Sequence, residues 1–164
     1  MRKALGIFAA GLSLAAICVP VSGQDLPKSG SISWHTGWKL TAEAMTVAEG
    51  QVEGHGTAIG TSFNDKGAGP LHIGAAECVF AFSVIKGSGS NAGYCAFGDA
   101  DGDRIFTEFT GKLGLPNGYD EGINVISGGT GKYAGITGRG PWKCKTVGGN
   151  GGIQCAQRLD YRLP

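Results

Sequence analysis

Beyond residue 23, no stretch carries an apolar repeat of helical period over three turns. Short runs rich in Val, Ile, Thr, Phe and Tyr instead recur between glycine clusters, which is the pattern of an antiparallel all-β domain. The runs predict strands over 31–39, 39–48, 51–63, 77–85, 93–97, 104–111, 122–126, 139–146 and 153–163. The stretch "TAEAMTV" at 41–47 is ambiguous, since its pattern also suits a helical turn. "NDKGAGP" at 64–70 and "GLPNGYDEG" at 114–122 carry the Gly, Pro and Asn of loops.

One run has two unequal faces. The odd positions of 51–63 hold Gln51, Glu53, His55, Thr57, Ile59, Thr61 and Phe63, whereas the even ones hold Val52, Gly54, Gly56, Ala58, Gly60 and Ser62. A strand nearly bare on one side suits a place where a bulky ring or another backbone comes close, as in a tightly curved barrel. Trp34, Trp38 and Trp142 are the candidates for that bulk.

The opening residues set a compartment. Arg2 and Lys3 precede an apolar run from Ala4 to Val19, too short to span a bilayer comfortably, and Val21-Ser22-Gly23 offers the small residues a signal peptidase reads. The reading is a signal peptide over 1–23 and a single domain over 24–164, exported to the periplasm or secreted. Acylation at Cys18 is disfavoured by the bulky Ile17 before it. Without residues 1–23 the chain has twelve basic and thirteen acidic side chains, so its charge makes no case for nucleic acid or an anionic membrane surface. No membrane span is expected in the mature form.

Four cysteines remain, Cys78, Cys95, Cys144 and Cys155, and an even number in an exported chain implies two disulfides with three connectivities open. Each close pair brackets a glycine-rich turn, which favours 78–95 with 144–155.

Six glycines fall within "GGTGKYAGITGRG" at 128–140. A phosphate-binding loop needs Gly, four residues, then Gly-Lys-Ser/Thr. Here Ile126 stands where the first Gly belongs and Tyr133 where the hydroxyl belongs. A dinucleotide fingerprint is met formally by Gly129, Gly131 and Ala134, but Gly135, Gly138 and Gly140 would break the helix it requires. A turn between two strands is the reading that remains, and no cofactor is expected.

The same segment, as "ISGGTGKYAGITGRG", resembles the Gly-Gly-Thr-Gly-Lys-Tyr/Phe segment of the allene oxide cyclase and dirigent barrels, and more closely exported bacterial proteins with an allene-oxide-cyclase-like barrel. "GTSFND" at 60–65, "GYCAFGDADGDRIFTEFTG" at 93–111 and "PWKC" at 141–144 are similar to that bacterial group too. The resemblance implies an eight-stranded antiparallel barrel with a central cavity, and hints at a homotrimer. It brings no catalytic residue with it.

Three further sets of residues could carry chemistry. "GDADGD" puts Asp99, Asp101 and Asp103 on alternate residues, oxygen ligands enough for a weak calcium site. An EF-hand is excluded by Arg104 and Thr110 at its glycine and glutamate positions, and Asp101-Gly102 alone reads as a type I′ hairpin turn. Glu53 and His55 share a strand face and form an acid/base pair if that face looks inward. Glu108, beside Phe106, is a second acid candidate. No zinc spacing or nucleophile elbow is present. Phe80, Phe82, Phe97, Phe106 and Trp142 are expected to line the lumen, which would bind a small apolar or aromatic molecule. The alternatives are an isomerase or cyclase that confines a reactive substrate, and a structural envelope protein.

Overall fold

The computed structural model describes residues 26–116, 118–148 and 150–164, and the expected leader at 1–23 lies outside them. Eight strands follow in order: β1 (Ser29–Ala48), β2 (Gln51–Asn64), β3 (Gly74–Ile85), β4 (Ser88–Gly98), β5 (Arg104–Leu113), β6 (Asp120–Gly129), β7 (Thr137–Thr146) and β8 (Gly152–Arg162). Each pairs antiparallel with its neighbours in sequence, and β1 pairs with β8 to close the barrel. Closure leaves no sheet edge along most of the wall.

Where the sequence suggested two runs, 31–39 and 39–48, there is one strand of 20 residues. The ambiguous "TAEAMTV" is extended because β2 lies beside it, with Ala42 opposite Gly56, Glu43 opposite His55 and Met45 opposite Glu53. Ladder pairing overrides a weak local preference. β8 stops pairing with β1 at Lys39 opposite Gly152, so beyond that point β1 pairs with β2 alone, while β2 stays paired with β3 as far as Gln51 opposite Ile85.

Side chains alternate in and out along the strands, and a bulge opposite Phe106 and Thr107 shifts the pattern on β6. The even positions of β1 bury Ile32, Trp34, Thr36 and Trp38, and the odd positions of β5 bury Ile105 and Thr107. One end of the barrel is filled. Trp34, Leu71, Phe97, Ile105, Tyr133 and Leu159 are fully buried there, with Trp34 edge-on to Phe97 at 5.2 Å between ring centres. Burial of each such side chain is worth about 1.5–3 kcal/mol.

The bare face of β2 is met as its composition implies. A Cβ on Gly54 would stand 2.3 Å from Cζ of Phe82, one on Gly56 would stand 2.8 Å from Cζ of Phe80, and one on Gly60 would stand 3.0 Å from Trp38. Two of the three rings are therefore phenylalanines of the adjacent strand rather than the tryptophans. Cys78–Cys95 and Cys144–Cys155 each join residues directly opposite one another, on β3/β4 and on β7/β8.

"GGTGKYAGITGRG" resolves into the end of β6, a 3₁₀ turn over Gly131–Tyr133 and the start of β7. Tyr133 drops into the filled end with no exposure. Gly131 has φ +51°, and a Cβ there would stand 1.7 Å from Oδ1 of Asp103, so only glycine fits. The β4–β5 connection is also not the two-residue turn expected at Asp101-Gly102. It is a five-residue loop, 99–103, closed by the Asp99 and Gly102 amides donating to the Asp103 and Asp99 carbonyls at 2.8 and 3.1 Å.

Candidate functional site

Above the filled end the lumen opens into a cavity of about 270 Å³. Its walls are mainly apolar and carry five rings: Trp38 from β1, Phe80 and Phe82 from β3, Phe109 from β5 and Trp142 from β7. Phe109 meets Trp142 edge-on, with ring centres 5.8 Å apart and planes at 89°, an arrangement favoured by the ring quadrupoles. Both disulfides also line the cavity, on separate walls.

Polar side chains floor it. Thr107 Oγ1 donates to Asn124 Oδ1 at 3.4 Å, Asn124 Nδ2 to Gln157 Oε1 at 3.1 Å, and Gln157 Nε2 to Thr36 Oγ1 at 2.9 Å. This chain crosses the barrel from β5 through β6 and β8 to β1, and all four residues are buried. A polar network this deeply buried is satisfied mainly by its own members. Asn124 and Gln157 also face the cavity, where they can orient a guest. Nearer the mouth, Asn91 Oδ1 and Trp142 Nε1 are buried with no hydrogen-bond partner. Trp142 is seated over two glycines, since a Cβ on Gly111 or Gly122 would stand 2.2 or 2.7 Å from its Cζ2. Asp120, half-buried at the rim, accepts a hydrogen bond from the Gly114 amide at 2.8 Å.

The expected lumen residues divide. Phe80, Phe82 and Trp142 line the cavity. Phe97 lies inside the barrel but deeper, packed against Trp34 and Trp38 in the filled end. Phe106 is on the outer wall, because its neighbours Ile105 and Thr107 take the inward positions. Phe109 holds the place expected of it. The sequence offered no way to choose, since "RIFTEF" puts a phenylalanine on each face.

Glu53, His55 and Glu108 also stand outside. They share the parity of exposed Ile59 on β2 and of Phe106 on β5, and the inward parity of β2 belongs to Ala58, Ser62 and Asn64. Gln51 Nε2 and Ser83 Oγ donate to Glu53 Oε1 at 2.8 and 2.9 Å, holding its carboxyl below the usual carboxylate range. A general acid needs the opposite shift.

Asp99, Asp101 and Asp103 do converge, at the filled end far from the cavity. The cation among them is the chain's own: Lys132 Nζ is 2.6 Å from Asp99, 2.6 Å from Asp101 and 3.9 Å from Asp103. Burial works against the ammonium, but hydrogen bonds to Asp101 and Asp99 outweigh it and raise the Lys132 pKa above its ordinary value. The bond from Lys132 keeps Asp101 below its own. Asp99 further accepts from the Leu71 amide and from the Tyr133 hydroxyl, the latter at 2.6 Å. Burial, then the Asp99 bond, holds the Tyr133 phenol far above the ordinary tyrosine range. The calcium candidate is thus an internal ion cluster that pins the 3₁₀ turn, with lysine where a metal would sit.

The two disulfides fit an oxidising, extracytoplasmic compartment, and no helix among the described residues is long and apolar enough to cross a membrane. Compared with models of known protein families and with curated proteins, the chain finds no match.

Proposed function

We propose that the protein is an exported, allene-oxide-cyclase-like bacterial barrel that binds a small, largely apolar molecule in its open end. The observation that carries this reading is the ring-walled cavity of about 270 Å³ above a hydrogen-bonded polar floor. Apolar walls with a few fixed polar groups are the usual make-up of a small-molecule site. At ~30 Å³ per water, the cavity holds the bulk of about nine waters, the size of a one- or two-ring compound. The acid/base groups put forward for a cyclase, Glu53, His55 and Glu108, lie on the outer wall, so no observation favours that alternative.

Native mass spectrometry of protein isolated from its own host tests the reading. The expected spectrum carries an extra mass that is lost on denaturation. In Ala42→Trp, whose new ring fills the cavity mouth from an exposed strand position, that mass is expected to disappear while the melting temperature holds. If the native protein carries no added mass, and its tryptophan fluorescence ignores a panel of one- and two-ring aromatics, the reading fails.

A further inference from the structure

The charge of the cavity lining narrows the ligand class. Among the described residues lining the cavity, Asp120 is the one charged side chain, with no Lys, Arg or His beside it. No basic side chain among the described residues forms an ion pair with it, and only its Oδ1 is engaged, by the Gly114 amide. The neighbouring lysines Lys143 and Lys145 lie on the outer wall, over the ring of Tyr119 at 4.4 and 5.1 Å. The second acceptor of the upper cavity, Asn91 Oδ1, is buried and unpartnered. Between these acceptors stands the Trp142 ring, on the strand position paired with Gly122, two residues from Asp120.

Aromatic faces attract cations through the ring quadrupole, and a carboxylate in a partly dry cavity does so over a longer range. Both repel anions. From this we infer that the lumen selects an organic ammonium ion with an aromatic body, its charged nitrogen at Asp120 and its ring among Trp38, Phe80, Phe109 and Trp142. The inference rests on the small-molecule reading above and adds the sign of the ligand's charge.

Three compounds of one shape test it: 2-phenylethylammonium, its neutral counterpart 2-phenylethanol, and phenylacetate, titrated at neutral pH against tryptophan fluorescence and by calorimetry. The expected order is ammonium about tenfold tighter than alcohol, with phenylacetate weakest. Asp120→Asn keeps an oxygen for the Gly114 amide and should bring the ammonium down to the alcohol's affinity. Glu121→Gln, which removes a negative charge from the exposed outer position next in sequence, should leave the tenfold ratio in place. Equal affinities for ammonium and alcohol in the unaltered protein would overturn the inference and leave the apolar-ligand reading standing, as would loss of the ratio in Glu121→Gln. Binding of none of the three overturns this inference and counts against the reading beneath it.

Discussion

Replacing Lys132 with methionine keeps most of the side chain's apolar stem and deletes its charge. The ammonium is bonded to Asp99, whose side chain is 5% exposed, and to Asp101, which is 56% exposed, and Lys132 itself is 25% exposed. Exposed ion pairs are worth about 0–1 kcal/mol, whereas breaking a buried one costs about 3–5. This cluster lies between those limits, because the Asp99 side is dry and the Asp101 side wet, so Lys132→Met should lose about 2 kcal/mol. For a domain of this size that lowers the melting temperature by about 8 °C, read by circular dichroism at neutral pH. The pH response follows from the directions of the shifts. Asp101, held low, contributes stability above its unfolded pKa near 3.9 that disappears as pH falls through the folded value, and Lys132, held high, contributes fully below about 10.4 and loses its contribution as pH rises through the folded value. The variant should therefore lack the alkaline loss. A shorter replacement, Lys132→Ala, leaves three carboxylates facing a gap, and millimolar calcium should restore part of its stability while leaving the unaltered protein unchanged. If Lys132→Met melts within a degree of the parent, or if calcium stabilises the parent as strongly as the alanine variant, the cluster does not hold the turn as argued.

The seat of Trp142 can be tested by adding a single methyl group. In Gly111→Ala the new Cβ would fall 2.2 Å from Cζ2 of the ring and 2.8 Å from Asn91 Oδ1, so the ring must swing, costing about 1–3 kcal/mol; an unshifted tryptophan emission maximum and an unchanged melt would contradict that placement. Gln157→Leu strips Asn124 Nδ2 of its acceptor and Thr36 Oγ1 of its donor, both buried. At about 1–3 kcal/mol for each of the two orphaned groups, urea denaturation should show a loss of about 2–6 kcal/mol, and a neutral result would mean the polar floor is satisfied by other means.

Much of the wall was legible because it is written locally. Alternation with a period of two, glycine clusters and the spacing of Cys78, Cys95, Cys144 and Cys155 each concern residues close in the chain, and the barrel is a meander in which sequence neighbours pair. The bare face of β2 even announced that rings would press against it. Which rings they are depended on register: Phe80 and Phe82 stand opposite Gly56 and Gly54.

The contents of the barrel were not written that way. A strand's two faces differ in sequence only when one is plainly apolar, and "RIFTEF" offers Phe106 and Phe109 to opposite sides. The buried partners of each neighbour chose between them. Glu53 and His55 share a face by period alone, but closure of the sheet decided that the face is the outer one.

An all-β chain and a glycine-rich turn between two strands at 128–140 could be read from the residues alone, because both follow from local backbone preference, and the spacing of the cysteines favoured the two cross-strand disulfides among three connectivities. Only the tertiary structure set Lys132 among Asp99, Asp101 and Asp103, and assembled Thr36, Thr107, Asn124 and Gln157 into the floor of a cavity. Lys132 reaches its carboxylates because β5 and β6 pair side by side, and Gln157 reaches Thr36, 121 residues away, only because β8 closes on β1.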